Sequence, residues 1–169
     1  MVTVLGTIGT VVASFTLIAN GHLFGGTIAV TLLVLTDLLD GTMARLSETG
    51  GSTWGALLDS TMDRISDASI LGALTYYLIQ QNDRLATVAV IALVAGGLVS
   101  YIKARAESLD IICNGGFAER TERLIILLVA MGFSGLGISY VLAIGIWVLA
   151  VASLFTAGER LVIVYKASS

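Results

Sequence analysis

The stretch Asp37-Leu38-Leu39-Asp40-Gly41-Thr42-Met43-Ala44-Arg45, followed after nine residues by Gly55-Ala56-Leu57-Leu58-Asp59-Ser60-Thr61-Met62-Asp63, sets four carboxylates at the edge of, or inside, apolar runs. Asp37 and Asp40 are three residues apart and Asp59 and Asp63 four apart, so each pair shares one face of a helix. The runs are long enough to cross a bilayer, where a carboxylate costs about 2.5–3.5 kcal/mol on insertion scales. Four such groups on neighbouring helices demand compensating charge, and the two nearby arginines, Arg45 and Arg64, are too few to supply it. Hard oxygen donors suit Mg2+ or Mn2+, and two divalent cations would balance four carboxylates. The stretch therefore predicts a membrane helix pair with a two-metal site formed by Asp37, Asp40, Asp59 and Asp63. Two such ions about 3.5–4 Å apart can hold both the attacking and the leaving oxygen of an in-line phosphoryl transfer.

The rest of the chain has the composition of a bilayer protein. Of its 169 residues, 56% are hydrophobic and 12% charged, against about 25% charged in a soluble domain. It has no proline, so no Pro-rich linker divides it, and residues 1–169 read as a single domain. A net charge of −3 argues against a nucleic-acid binder. The single cysteine, Cys113, cannot close an internal disulfide. His22, in the turn Asn20-Gly21-His22, reads as a surface residue. Met1 runs directly into apolar Val2-Thr3-Val4-Leu5 with no basic leader, so a segment preceding the first helix is expected to be missing from this sequence.

A transmembrane helix needs about 20 residues at about 1.5 Å rise each. Residues 1–36 hold no Asp, Glu, Lys or Arg, and Asn20-Gly21-His22 divides them into a first helix near 2–19 and a second from 24 to 46. A third is expected over 53–80, a fourth over 85–108, a fifth from Ala118 to Gly132–Gly137, and a sixth over 139–165. The fold class is thus an all-α integral membrane bundle of six transmembrane helices. Short turns put both termini on one side. Eight of the nine basic residues (Arg45, Arg64, Lys103, Arg105, Arg120, Arg123, Arg160, Lys166) fall on that side, and only Arg84 on the other. The positive-inside rule makes that side cytoplasmic. The acidic residues gather there too, apart from Asp83, so the active site is expected at the cytoplasmic end of a multi-pass protein of the cell membrane. A cation transporter, the alternative from another class, should break its helices near the midplane and carry polar groups to both faces. This chain has no proline and one polar face.

Small residues surround the carboxylates. Gly41 follows Asp37 by four, Ala44 follows Asp40 by four, and Gly55 precedes Asp59 by four. Each leaves a hollow one helical turn from a carboxylate, where a flat base or a phosphate could lie. An isolated glycine would be explained by ordinary helix packing; three placed around four aspartates point to a pocket.

These residues match the signature of the CDP-alcohol phosphotransferase family, D-x2-D-G-x2-A-R-x8-G-x3-D-x3-D, except that nine residues, Leu46 to Trp54, separate Arg45 from Gly55. The extra residue falls in Ser47-Glu48-Thr49-Gly50-Gly51-Ser52, a loop in which an insertion is tolerated. Three further stretches resemble the prokaryotic branch of that family whose acceptor is inositol phosphate: Asp63-Arg64-Ile65-Ser66-Asp67, Ser100-Tyr101-Ile102-Lys103-Ala104-Arg105-Ala106-Glu107, and Gly115-Gly116-Phe117-Ala118-Glu119-Arg120-Thr121-Glu122-Arg123-Leu124.

The resemblance implies transfer of the phosphatidyl group of CDP-diacylglycerol to a hydroxyl of inositol phosphate, with release of CMP. It implies that Asp37, Asp40, Asp59 and Asp63 hold two divalent cations, Mg2+ or Mn2+, and that Asp63 also takes the proton of the attacking hydroxyl. Asp37, Gly41, Ala44, Arg45, Gly55 and Asp59 would line the CDP-diacylglycerol pocket. Lys103, Arg123 and Arg160 would hold the acceptor's phosphate, the arginines as forks and the lysine as a point charge. Local pairing of Glu119 with Arg123 and of Lys103 with Glu107 is the plain alternative, and Arg105 and Arg120 are weaker candidates. A sister enzyme acting on glycerol 3-phosphate or another polar alcohol would carry the same signature. Members of the family are homodimers.

Overall fold

The computed structural model describes residues 2–46 and 52–168, with side chains at 3–36 and 52–168. In hydrocarbon a helix satisfies its own backbone polar groups, and each long apolar run takes that form. Helix α1 (Val2–Ala13) continues through a wide π-helical turn, Ser14–Ile18. Then follow α2 (Leu23–Leu46), α3 (Thr53–Gln80), α4 (Leu85–Glu107), α5 (Arg120–Gly135) and α6 (Tyr140–Ser168). There is no strand among the described residues. The six helices match the expected runs closely. The fifth starts at Arg120 rather than near Ala118, because Glu119 takes extended backbone (φ −70°, ψ 176°) as its N-cap.

The turns form where the polar residues stand. Ser52 Oγ accepts from Gly55 N–H at 3.0 Å and opens α3, satisfying an amide the helix itself leaves free. Asn82 takes φ +53° after α3, and Asp83 Oδ1 accepts from Leu85 N–H at 2.9 Å to start α4. His22 is exposed in its turn, as expected.

The helices close a ring in the order α1, α2, α5, α6, α4, α3 and back to α1. Its core is made of Ile18, Val30, Ile70, Leu74, Met131 and Ile146, all fully buried. Small residues bring the ring together: a Cβ on Gly135 of α5 would strike the backbone of Phe24 in α2, and one on Gly145 of α6 would strike Ala130. Such contacts let membrane helices approach closely.

The outside of the ring is apolar as well. Leu5, Ile8, Val12, Leu32, Ile79, Val94, Val129, Ile144 and Val151 are all exposed. A shell of that extent is foreign to a water-soluble monomer and suits hydrocarbon. Helices α4 and α6 are long and apolar enough to cross a membrane, and Thr3–Ile18 and Leu23–Thr36 are shorter apolar stretches. Helix α3 is divided: its first half carries Asp59, Asp63, Arg64 and Asp67, and the run from Ala68 to Ile79 is uncharged.

Candidate active site

On α3, Gly55, Asp59, Asp63 and Asp67 form a stripe at a spacing of four residues, which keeps all four on one helix face. Asp59 is exposed, and among the described residues no cation pairs with it. Asp63 and Asp67 are partly enclosed and meet the first turn of α5. Arg120 Nη2 lies 3.0 Å from Asp63 Oδ1, and Arg120 Nε donates to Asp67 Oδ1 at 3.2 Å. Arg123 Nη2 stands 3.7 Å from Asp67 Oδ2, while its Nη1 donates to the Ala118 carbonyl at 2.9 Å. Arg64 donates to Ser100 Oγ of α4 at 2.7 Å.

A cavity of about 550 Å³ opens beside this cluster, between α3, α4, α5 and α6. Its lining includes the polar side chains of Ser60, Thr61, Arg64, Asp67, Ser100 and Arg123. Apolar side chains that line it include Leu71, Leu93, Leu124, Leu127 and Leu149.

The segment from Ser108 to Glu119 holds α5 in place. Gly116 has φ +97°, a conformation glycine takes at no steric cost, and a Cβ there would run into Thr156 of α6. Thr156 Oγ1 accepts from Ala118 N–H at 3.1 Å. Arg160, with only 2% of its surface exposed, spreads its guanidinium over three partners. Its Nε donates to the Gly115 carbonyl at 2.8 Å, Nη1 to the Val99 carbonyl at 2.8 Å, and Nη2 to Glu119 Oε1 at 3.1 Å. Lys103 Nζ lies 3.9 Å from the same Glu119 oxygen.

The residues named from sequence thus fall into four groups, the first of them Gly55 and Asp59, both exposed in the first half of α3. Asp63 and Arg123 are linked through Arg120 and Asp67, the last of which lines the cavity with Arg123. Lys103 and Arg160 are joined through Glu119, not in the local pairs of Lys103 with Glu107 and of Glu119 with Arg123 that were the plain alternative. Asp37, Asp40, Gly41, Ala44 and Arg45 belong to the last part of α2, and their side chains lie outside the described residues. Arg120, ranked low from the sequence, is the cation that touches Asp63. The partner role of Asp67 went unread, although its place in the spacing of four was the available signal. Among the described residues no three metal-binding side chains converge. The two that α3 contributes, Asp59 and Asp63, have the donor chemistry a hard divalent ion requires.

Residues 1–158 match the family profile of the CDP-alcohol phosphatidyltransferases. The chain belongs to this family. It is 45% identical over 178 residues to a phosphatidylinositol phosphate synthase of Streptomyces avermitilis, covering 99% of this chain and 72% of the relative. It is 39% identical over 160 residues to the enzyme of that name from Corynebacterium glutamicum, covering 93% of this chain and 73% of the relative. The crystal structure of the Mycobacterium tuberculosis phosphatidylinositol phosphate synthase with CDP-DAG bound superposes with a TM-score of 0.91 at 44% identity, over 97% of this chain and 84% of that one. The same mycobacterial enzyme in complex with manganese and citrate superposes with a TM-score of 0.90 at 43% identity, over 97% of this chain and 80% of that one. The protein is therefore an enzyme of phosphatidyl transfer with an all-helical, membrane-type fold.

Proposed function

We propose that the protein transfers the phosphatidyl group of CDP-diacylglycerol to a hydroxyl of inositol phosphate, releasing CMP and leaving phosphatidylinositol phosphate in the bilayer. What carries this proposal is the meeting of the Asp59-Asp63-Asp67 stripe with a cavity that bears Arg64 and Arg123. Carboxylates for hard cations and arginines for an acceptor phosphate then stand side by side. Relatives at 39–45% identity carry the name of that activity.

In this reading Asp37, Asp40, Asp59 and Asp63 hold two divalent cations, Mg2+ or Mn2+. The manganese in a mycobacterial relative supports the metal class. Bound there, the ions would neutralise the pyrophosphate and the charge that develops in phosphoryl transfer. Asp37, Gly41, Ala44, Arg45, Gly55 and Asp59 line the CDP-diacylglycerol pocket, for which the bound CDP-DAG of the mycobacterial structure is the supporting parallel. Asp63 accepts the proton of the attacking hydroxyl. The new bond runs from that oxygen to the phosphorus bearing the diacylglycerol, and the bond that breaks releases CMP with its electron pair.

Arg123 and Lys103 hold the acceptor's phosphate. Arg160 stands behind them, with three donors already committed and two N–H groups left to contribute. Residues 1–169 act as one domain, with six membrane-spanning helices, both termini and the site on the cytoplasmic side of the cell membrane, and a homodimeric assembly.

The test is a panel of acceptors with purified protein in lipid nanodiscs. With Mg2+ or Mn2+ and CDP-diacylglycerol, CMP should appear with inositol phosphate and not with free inositol or glycerol 3-phosphate, and a chelator should stop it. Release with glycerol 3-phosphate alone would assign the sister activity. Silence across all phosphorylated polyols would refute the proposal.

A further inference from the structure

Asp67 lies one turn beyond Asp63, outside the set of residues that the transfer reaction was assigned above. Its two oxygens are engaged separately: Oδ1 by Arg120 Nε at 3.2 Å, and Oδ2 by Arg123 Nη2 at 3.7 Å. Both arginines come from the first turn of α5, so one carboxylate on α3 ties down two cations of a neighbouring helix. Arg123 is enclosed as well. Its side chain is 10% exposed, and its Nε packs so closely on Gly96 of α4 that a Cβ there would come within 3.3 Å. Asp67 and Arg123 both line the 550 Å³ cavity.

We propose that Asp67 is a positioning residue for the acceptor's phosphate: it holds Arg123 in the lining of the cavity, with Arg120 on its other oxygen, while Asp63 is occupied with the reaction. This rests on the phosphatidyl-transfer reading above. Two carboxylates and two guanidinium groups balance in the cluster. Arg120 spans both carboxylates, at 3.0 Å from Asp63 and 3.2 Å from Asp67. A role for Asp63 at the reacting centre draws it away from Arg120. Asp67 is then the partner left to both arginines. Without that anchor Arg123 would keep only its bond to the Ala118 carbonyl through Nη1, its Nη2 would lose its partner, and binding phosphate would have to orient the fork first. Asp67 is poorly suited to be a further metal ligand, because each of its oxygens already faces an arginine.

The experiment is Asp67→Asn, which keeps the shape and removes the charge. The KM for inositol phosphate should rise at least about tenfold. The KM for CDP-diacylglycerol and the Mg2+ concentration giving half-maximal rate should stay within about twofold of the parent. The Kd for inorganic phosphate, titrated calorimetrically onto the purified protein without CDP-diacylglycerol, should rise with the acceptor KM. An unchanged acceptor KM overturns the proposal, as does a shift in metal dependence that copies Asp63→Asn. If Asp67→Asn does not fold, Asp67→Glu keeps the charge and displaces it by one methylene. It should raise the same KM by a smaller factor with the same split, and an unmoved KM overturns the proposal equally. CMP release by the parent with inositol phosphate is the control on the functional reading. Should that control fail, the phosphate titration alone decides, and equal Kd values in parent and variant refute the role of Asp67.

Discussion

Replacing Arg160 with alanine should cost stability before it costs anything else. The side chain is 2% exposed and donates to the carbonyls of Gly115 and Val99, each at 2.8 Å. Hydrogen bonds from a charged donor contribute about 1.5–3 kcal/mol each, so the two together are worth about 3–6 kcal/mol. The third partner, Glu119, has a half-exposed side chain, and a pair so placed adds at most about 1 kcal/mol. For a chain of this length, about 2–4 °C is lost per kcal/mol, which places the drop in the unfolding midpoint between about 6 °C and about 28 °C. The assay is thermal unfolding in detergent, followed by near-UV circular dichroism from Trp54 and Trp147. Arg160→Lys keeps the charge without the fork and should fall between parent and alanine variant. The opposite result has a clear meaning. An arginine present only to bind phosphate sits near Lys103 and Arg123 at a cost in repulsion, and removing it should raise the midpoint or leave it alone. A midpoint equal to or above the parent's would refute the stabilising role of the Arg160 hydrogen bonds.

Asp63→Asn and Asp59→Asn should each lower the rate of CMP release by about a hundredfold or more, and excess Mg2+ should not restore it. Retention of activity in either variant would remove that residue from the reacting centre. Gly135→Val should destabilise the bundle by about 1–3 kcal/mol, the usual range for overpacking, because its side chain would meet the backbone of Phe24. An unchanged unfolding midpoint would mean that α2 and α5 can separate there without loss.

The six helices were legible because the chain states them in a simple code: uncharged runs, broken at Asn20-Gly21-His22, at Gln80-Gln81-Asn82-Asp83 and at Asn114-Gly115-Gly116. The aspartate stripe was legible for the same reason, since a spacing of four is a local property of one helix. What could not be read was the choice of partners across helices. Glu119 has Arg123 four residues away and Lys103 and Arg160 much further along the chain, yet it takes the distant pair. Local spacing favoured Arg123, but the folded loop turns that side chain inward to Asp67 and the Ala118 carbonyl. Arg160 reaches across 61 residues to Val99 and 45 to Gly115, distances over which no periodicity speaks. Arg120 was undervalued because its worth depends on how α5 is set against α3, and the loop that sets it is stitched to α6 by Gly116 and Thr156.

The wide turn at Ser14–Ile18 gives the first helix an unusual tolerance. Such a turn accommodates one surplus residue by bulging, so the residues before and after it keep their orientation, with Thr7 and Thr10 inward and Leu5 and Ile8 outward. Deleting one residue inside this segment should let the backbone relax to regular winding, with both halves still aimed as they are. The same deletion a turn earlier would spin everything before it by about 100° and point hydroxyl groups into oil. Length variation within this helix is therefore permitted at one address, and that address lies against α2 and α3, the two helices that bring the carboxylates.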